Sequence, residues 1–117
     1  MKQVFVNFTN HPMKFWDENQ KKEAEKYGEI IDIPFPNVEP DRDEVYIEEL
    51  AEQYVKKILN VQPSAVLCQG EFSLCYQMIR KLRERGIKVL AASSKRTVEV
   101  TGNKKEVTFQ FERFRFY

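Results

Sequence analysis

The chain has 117 residues, of which 42% are hydrophobic and 32% charged, and its 19 Lys and Arg residues nearly balance 18 Asp and Glu residues. This length fits one domain that can bury a core without metal or disulfide staples. A net charge of +1 argues against bulk binding of long duplex nucleic acid, which needs an extended basic surface. No stretch is long and apolar enough for a signal peptide or a membrane span, so the sequence predicts a cytoplasmic protein with no membrane partner.

The first half of the chain predicts strands that alternate with helices. Short β-branched and aromatic runs indicate buried strands, and apolar residues at 3-4 spacing indicate amphipathic helices. Asp17 is placed to cap the first helix, and two prolines stop the second strand. The predicted elements are a strand at 4–8, a helix from Asp17 to Gly28, a strand at 30–33, and a helix over 47–59 capped at Asp41 or Asp43.

The second half predicts one more strand and helix, a fourth strand and a hairpin. These are a strand at 65–68, a helix from Leu74 that ends at Gly86, a strand at 87–91, and hairpin strands at 97–101 and 107–114 around Gly102 and Asn103. This alternation predicts an α/β protein, a small Rossmann-like three-layer sandwich with a central parallel sheet of about four strands and a C-terminal β-hairpin. We expect a single domain over 1–117, with a core at 1–92 and the hairpin at 93–117.

Ligands of open α/β sheets bind beyond the carboxyl ends of the strands. We call the loops at these ends the crest. Three of them carry polar or small residues: Asn7, Thr9, Asn10 and His11 after the first strand, Gln69, Gly70, Glu71, Phe72 and Ser73 after the third, and Ser93, Ser94, Lys95 and Arg96 after the fourth. Many such residues are ordinary helix caps and turn formers, but their combination predicts a binding site.

Individual crest residues indicate particular roles. Gly70, directly between strand and helix, would let a ligand approach the amides of the helix start, although Glu71 could satisfy those amides itself and repel an anion. The two hydroxyls and two cations from Ser93 to Arg96 are suited to phosphate. His11 is the default group for proton transfer, because its unperturbed pKa lies near neutrality. Trp16 beside Phe15 could stack on a base, but the pattern favours a hydrophobic contact at the entry to the first helix.

Several familiar chemistries have no motif here. The four glycines form neither a dinucleotide fingerprint nor a P-loop, and the zinc-protease and α/β-hydrolase signatures are absent. Cys68 and Cys75 have no neighbouring ligands at zinc spacing, so we expect small core residues with inert thiols. The sequence therefore predicts neither a metal site nor a cofactor.

Four segments together resemble a known group of proteins: Asn7 to Pro12, Asp32 to Pro36, Gln69 to Ser73, and Phe111 to Phe114. The chain is similar to small CRISPR-associated proteins of type III systems, with their CARF (CRISPR-associated Rossmann fold) domains and stand-alone ring nucleases. The resemblance implies a homodimer that binds a cyclic oligoadenylate over the crest in antiviral signalling. It further implies cleavage without metal, in which a ribose 2′-hydroxyl attacks the adjacent phosphate and leaves a 2′,3′-cyclic phosphate.

Three hypotheses follow for the crest. In the first, the protein binds and cleaves a cyclic oligoadenylate, with His11 and Lys95 as catalytic groups and the other crest residues as ligand contacts. In the second, it is a non-catalytic cyclic-nucleotide sensor or an interaction module, and His11 is structural. In the third, it is a small nucleoside or nucleotide N-glycosyl enzyme with Glu71 as nucleophile or base.

Overall fold

A five-stranded sheet organises residues 3–117, the part of the chain that the computed structural model describes. Residues 1 and 2 of the predicted domain lie outside this part. The strands are β1 (Val4–Phe8), β2 (Glu29–Asp32), β3 (Ala65–Cys68), β4 (Lys88–Thr101) and β5 (Lys104–Phe116), and the helices of the described part are α1 (Glu18–Glu25), α2 (Glu44–Asn60) and α3 (Phe72–Glu84).

The strand order in the sheet is β2-β1-β3-β4-β5. The first four of these strands are parallel neighbours, and β5 pairs antiparallel with β4 at the edge. The chain therefore passes from β1 to β2 on one side and then crosses back to β3 on the other, so the strand order reverses between β1 and β3. The predicted α/β class and the four parallel strands are confirmed.

An acidic side chain caps each of the three α-helices in the described part, whereas the short 3-10 helix at Met13–Phe15 has no side-chain cap. The carboxylate of Asp17 accepts a hydrogen bond from the Gln20 amide at 2.9 Å, and that of Asp43 accepts one from the Tyr46 amide at 3.2 Å. At α3 the capping residue is Glu71. A helix start leaves amides without partners, and these carboxylates satisfy them while complementing the helix dipole. None of the described helices has the length and apolar character needed to cross a bilayer.

The two faces of the sheet carry separate clusters of buried residues. Because side chains alternate along a strand, Val6 and Phe8 of β1 pack against α2 and α3, whereas Phe5 packs on the other side. Phe5 lies there with Trp16 and with Ala24 of α1. Helices therefore cover both faces of the parallel strands.

The fourth strand and the hairpin differ from the prediction. We expected Ser93 to Arg96 in a loop after a strand that ends at Ala91, but β4 continues unbroken from Lys88 to Thr101. No Gly, Pro, Asn or Asp interrupts this stretch, and each residue from Leu90 to Thr101 finds a partner on the long β5. The predicted hairpin around Gly102 forms, but it shares β4 with the sheet, so the sheet has five strands rather than six.

Candidate functional site

A cleft of about 470 Å³ lies on the crest, and we call it the crest cleft. It touches the ends of β1 and β3, between which the strand order reverses, and the adjoining part of the β4–β5 ribbon. Such a reversal is where open α/β sheets hold ligands. Its lining consists of Thr9, His11, Phe15, Trp16, Asp17, Gln20, Leu67, Gln69, Ala92, Ser94, Phe109 and Phe111.

The loop after β1 is held from beneath by the buried side chain of Asn7. Its amide nitrogen donates to a carboxylate oxygen of Asp32 and to the backbone oxygen of His11, each at 2.8 Å. Its amide oxygen accepts from the Thr9 hydroxyl at 2.8 Å, and the Trp16 indole donates to the same His11 oxygen at 2.9 Å. The side chains of Asn7 and Thr9, which we expected to contact ligand, are therefore used to shape this loop.

On the other side of the cleft, the side chain of Gln69 binds the backbone of β4 at Ala92. Its side-chain oxygen accepts from the backbone amide of Ala92 at 3.0 Å, just beyond the last parallel pair between β3 and β4. The side-chain nitrogen lies 3.5 Å from the Ala92 oxygen. Gln69 thus joins the two strands beyond their last paired residues, and the second N–H of its amide has no partner within residues 3–117.

Three polar side chains of the cleft are free of internal partners. Within residues 3–117, no hydrogen bond is made by the imidazole of His11, the hydroxyl of Ser94 or the side-chain amide of Gln20. Asp17 also lines the cleft, but its carboxylate accepts from the amides of Gln20 and Phe111. His11, Gln20 and Ser94 are therefore the groups most available to a ligand.

Exposed aromatic rings flank these groups. Phe15 is 75% exposed and Phe109 is 68% exposed, although both line the cleft. Trp16, by contrast, is buried and meets Phe5 edge to face, so it supports the cleft floor. Sequence reasoning missed Phe109, because its position opposite the crest depends on the length of β5. The apolar alternation of 107–114 is the signal that could have found it.

The residues from Ser93 to Arg96 divide between the two faces of the ribbon. Ser94 and Arg96 lie opposite Phe111 and Phe109, two residues of the cleft lining. Lys95 lies opposite Gln110, on the face that points away from the cleft. Ser93 pairs with Arg113 beside a register shift. Arg96, rather than Lys95, is therefore the cation on the cleft side.

The glycine that suggested an open anion cradle is covered. A Cβ atom on Gly70 would lie 2.6 Å from atoms of the Phe35 ring. Phe35 is buried and stacks obliquely on Phe8 with 4.8 Å between ring centroids. The Phe35 ring therefore occupies the space in which we expected a ligand to approach the Gly70 backbone. A larger side chain at this position would clash with the ring, which explains the glycine.

The start of α3 is occupied by its own capping residue. The two carboxylate oxygens of Glu71 accept from the amides of Ser73 and Leu74, each at 2.9 Å, and the Ser73 hydroxyl lies within 2.7 Å of both. Burial by itself raises the pKa of Glu71, but the hydrogen bonds from Ser73 and Leu74 outweigh it and leave the pKa below its usual value. Glu71, which we expected among the ligand contacts, is therefore engaged in the helix cap that was its alternative role.

Other crest residues lie on the α2–α3 side, away from the cleft. Asn10 and Glu71 line a hollow of about 330 Å³ with Phe35. Glu71, Phe72 and Ser73 line a groove of about 680 Å³ against the start of α2. The structure therefore splits the predicted site residues between two sides of the crest. It brings together Thr9, His11, Gln69 and Ser94 in the cleft lining, with Arg96 on the same face of the ribbon as Ser94.

The two cysteines meet behind this edge. The Sγ atoms of Cys68 and Cys75 are 3.6 Å apart, and both residues are buried, as expected. The hydrogen bond between the two thiols lowers the pKa of Cys75 to about 7, further helped by Tyr117, although burial opposes the shift. The pKa of Cys68 rises well above its usual value through the same bond and through burial. The pairing follows from the turn between β3 and α3, which the sequence predicted without placing the thiols together.

These features define a class: an α/β protein with a polar, aromatic-flanked cleft at the carboxyl ends of its parallel strands. The chain belongs to the Uncharacterized protein MJ1673 family, whose family model matches residues 3–115. No curated protein matches the chain at a significant level. Within residues 3–117, no group of three or more His, Cys, Asp or Glu side chains is arranged to hold a metal ion.

Replacing Glu71 by Gln should destabilise the protein by about 1 kcal/mol at pH 7, because the charged cap is lost. The folded pKa of Glu71 lies below its ordinary value of 4.5, so its contribution is present above pH 4.5 and is lost as the pH falls through the folded value. Urea unfolding at pH 7 and pH 3 measures this difference. The gap between the two proteins should narrow as the pH falls below 4.5, because Glu71 loses its charge and comes to resemble Gln.

Glu49→Gln is the matched control, since Glu49 is an exposed helical residue of α2. It should change the free energy of unfolding by less than about 0.5 kcal/mol at either pH. An equal loss in both variants at pH 7, or a Glu71→Gln gap that is no smaller at pH 3 than at pH 7, would contradict the capping role.

Cys75 should titrate near neutral pH in the folded protein. The ultraviolet absorbance of thiolate should rise with a midpoint of about 7. Cys75→Ala should remove this step, and Cys68→Ala should move it upward, because the bond from Cys68 is the largest cause of the low pKa. A midpoint that Cys68→Ala leaves unchanged would show that the thiol pair does not cause the shift.

Proposed function

We propose that the crest cleft binds a cyclic oligoadenylate and that the protein cleaves it without metal, as a cytoplasmic component of type III CRISPR signalling. The proposal treats the chain as a small Rossmann-like three-layer domain that acts as a homodimer. The observation that carries it is the place of the cleft, at the reversal of strand order, with free His11 and Ser94 between two exposed rings.

The aromatic residues of the cleft suit a nucleobase. Phe15 and Phe109 each present an exposed ring at the rim, and adenine stacks on such rings with about 1–3 kcal/mol per base. The free N–H of the Gln69 amide adds one directed donor for a base nitrogen or a ribose oxygen. A neutral cleft with stacking surfaces fits a compact nucleotide better than an extended strand, which needs a continuous basic track.

The cleavage needs one base and one cation. The imidazole of His11 takes the proton of a ribose 2′-hydroxyl, and the 2′-oxygen attacks the adjacent phosphorus. The bond from phosphorus to the 5′-oxygen breaks, a proton from water completes that leaving hydroxyl, and the 2′,3′-cyclic phosphate remains. Arg96 would stabilise the negative charge that develops on the phosphoryl oxygens, a role that we had assigned to Lys95.

A sensor without turnover is the second candidate, and one observation favours it. His11 is the single titratable side chain of the cleft lining that is free of internal partners, since the Asp17 carboxylate is held by two amides. Proton donation to the leaving oxygen therefore depends on water, which suits slow cleavage or binding alone. The N-glycosyl alternative has less support, because both oxygens of Glu71 are engaged in the α3 cap.

Incubation with tetra- and hexa-adenylate rings in EDTA tests the enzyme directly. We expect linear products that end in a 2′,3′-cyclic phosphate, identified by mass spectrometry. His11→Ala should lower the rate constant of a single turnover by about 10²-fold or more while ring affinity stays within threefold. Binding with no turnover of either ring by the unmodified protein would leave the sensor, and absence of binding would reject both.

Arg96→Ala and Lys95→Ala form a matched pair for the phosphate contact. The two residues are neighbours on β4 but lie on opposite faces of the ribbon. Arg96→Ala should weaken ring binding or turnover at least tenfold, whereas Lys95→Ala should change either by less than threefold. The opposite order would move the ligand to the other face of the ribbon.

A further inference from the structure

The outer part of the β4–β5 ribbon leaves the body of the protein. We call residues 94–111 the arm. The strand β3 pairs with β4 only from Lys88 to Leu90, whereas β4 and β5 stay paired as far as Thr101 and Lys104. Every residue from 94 to 110 is exposed. An isolated two-stranded ribbon is marginally stable in water, so the arm needs a further packing partner.

The two faces of the arm differ sharply in polarity. Residues paired across the ribbon share a face, and successive pairs alternate between faces. The polar face consists of Lys95, Gln110, Thr97, Thr108, Glu99, Glu106, Thr101 and Lys104. The other, which we call the apolar arm face, consists of Ser94, Phe111, Arg96, Phe109, Val98, Val107, Val100 and Lys105. Such alternation is typical of a ribbon that buries one face and hydrates the other.

The apolar arm face is uncovered at its outer end. Phe111 at the base is buried, but Phe109 and Val100 are 68% and 70% exposed. The exposed apolar side chains form one strip that continues from the buried cluster around Phe5 and Phe114. Large contiguous apolar strips on a protein surface indicate an interaction site.

The exposed area of the chain is enough for a dimer. The chain exposes 8111 Å², whereas a compact monomer of this mass exposes about 6,700 Å². The radius of gyration is 15.7 Å, against about 13 Å for a compact chain of this length. The excess, on the order of 1,000 Å², exceeds the roughly 800 Å² that each partner buries in a standard interface.

We propose that a second copy of this chain covers the apolar arm face, with the two arms packed face to face and antiparallel about a two-fold axis. In a two-fold symmetric dimer both copies contribute the same surface to the interface. The apolar arm face of one copy can therefore pack against the apolar arm face of the other. The stretch from Ser94 to Thr101 spans about 23 Å at about 3.3 Å per residue, so antiparallel arms that overlap fully bring each tip to the base of the other arm.

The tip of the arm carries lysines, whereas its base combines Arg96 with two acids. Lys105 is the tip lysine on the apolar arm face, and the base adjoins Asp17 and Glu18 at the start of α1, where the Asp17 carboxylate accepts from the Phe111 amide. Antiparallel packing places Lys105 of one copy beside these acids of the second copy. A parallel arrangement would instead place lysines beside lysines, which costs free energy.

The same packing would make the crest cleft a shared site. Ser94, Phe109 and Phe111 belong both to the cleft lining and to the apolar arm face. The tip of the second copy therefore lies over the cleft and adds cations next to Arg96. This sharing rests on the proposed function, whereas the dimer itself does not depend on any ligand.

Two double variants that add the same charge test whether the apolar arm face or the polar face forms the interface. Val98→Glu with Val100→Glu alters the apolar arm face, and Thr97→Glu with Thr101→Glu alters the polar face of the same strand. In sedimentation equilibrium without nucleotide, the unmodified protein and the polar-face variant should be dimers. The apolar-face variant should dissociate at least tenfold more readily, with circular dichroism confirming that it remains folded.

A monomeric unmodified protein at all concentrations, or equal dissociation of the two double variants, would overturn the proposal.

The relative orientation of the two arms is tested by a charge exchange. Lys105→Glu should weaken the dimer, and the addition of Glu18→Lys in the same chain should restore it. A lack of restoration would overturn the antiparallel packing. Because these measurements use no nucleotide, their failure is distinct from a failure of ring binding.

Discussion

The buried amide of Asn7 is the interaction on which the candidate site depends. It joins the end of β1 to Asp32 at the end of β2 and to the backbone oxygen of His11, with 2.8 Å for each bond. The same His11 oxygen accepts from the Trp16 indole. One loop conformation therefore satisfies the side-chain nitrogen and oxygen of Asn7 and the indole N–H of Trp16 together. An unsatisfied buried amide would cost about 1–3 kcal/mol, so the loop has little freedom to rearrange.

This constraint links the core to the chemistry of the cleft. Trp16 lies in the cluster around Phe5, and its hydrogen bond to the loop fixes where the backbone of His11 passes. The imidazole itself makes no internal hydrogen bond in the described part of the chain, so its position follows from the backbone beneath it. A rigid backbone with a free side chain is the arrangement that a general base requires.

Local sequence rules predicted much of the fold. The strands and helices alternate as the hydrophobic periodicity indicated, and Asp17 and Asp43 cap the helices at which acidic residues precede apolar repeats. These features depend on neighbours within a few residues, which is why a single sequence can show them. The capping role of Glu71 followed from the same logic.

Long-range pairing decided the features that local rules could not predict. Ser93 to Arg96 carry no strand or turn signal of their own, and their extended conformation depends on β5, a partner in a later part of the chain. Gly70 looked like an opening for a ligand because nothing local shows that the Phe35 ring fills the space above it. The division of the crest into two sides likewise depends on which face each loop residue takes after its strand ends.

The three acidic caps change how this protein could hold an anion. Nucleotide-binding α/β domains commonly direct phosphate to free amides at a helix start, but here Asp17, Asp43 and Glu71 occupy those amides. A phosphate at the crest would therefore have to be neutralised by side chains. Arg96 is the cation near the cleft on this side of the ribbon, since Lys105 lies at the far tip, and one guanidinium balances one phosphate charge. A cyclic ligand with several phosphates needs more positive charge than one copy provides at this place. The lysines at the arm tip could supply that charge only from a second copy, so phosphate binding and arm pairing would be coupled.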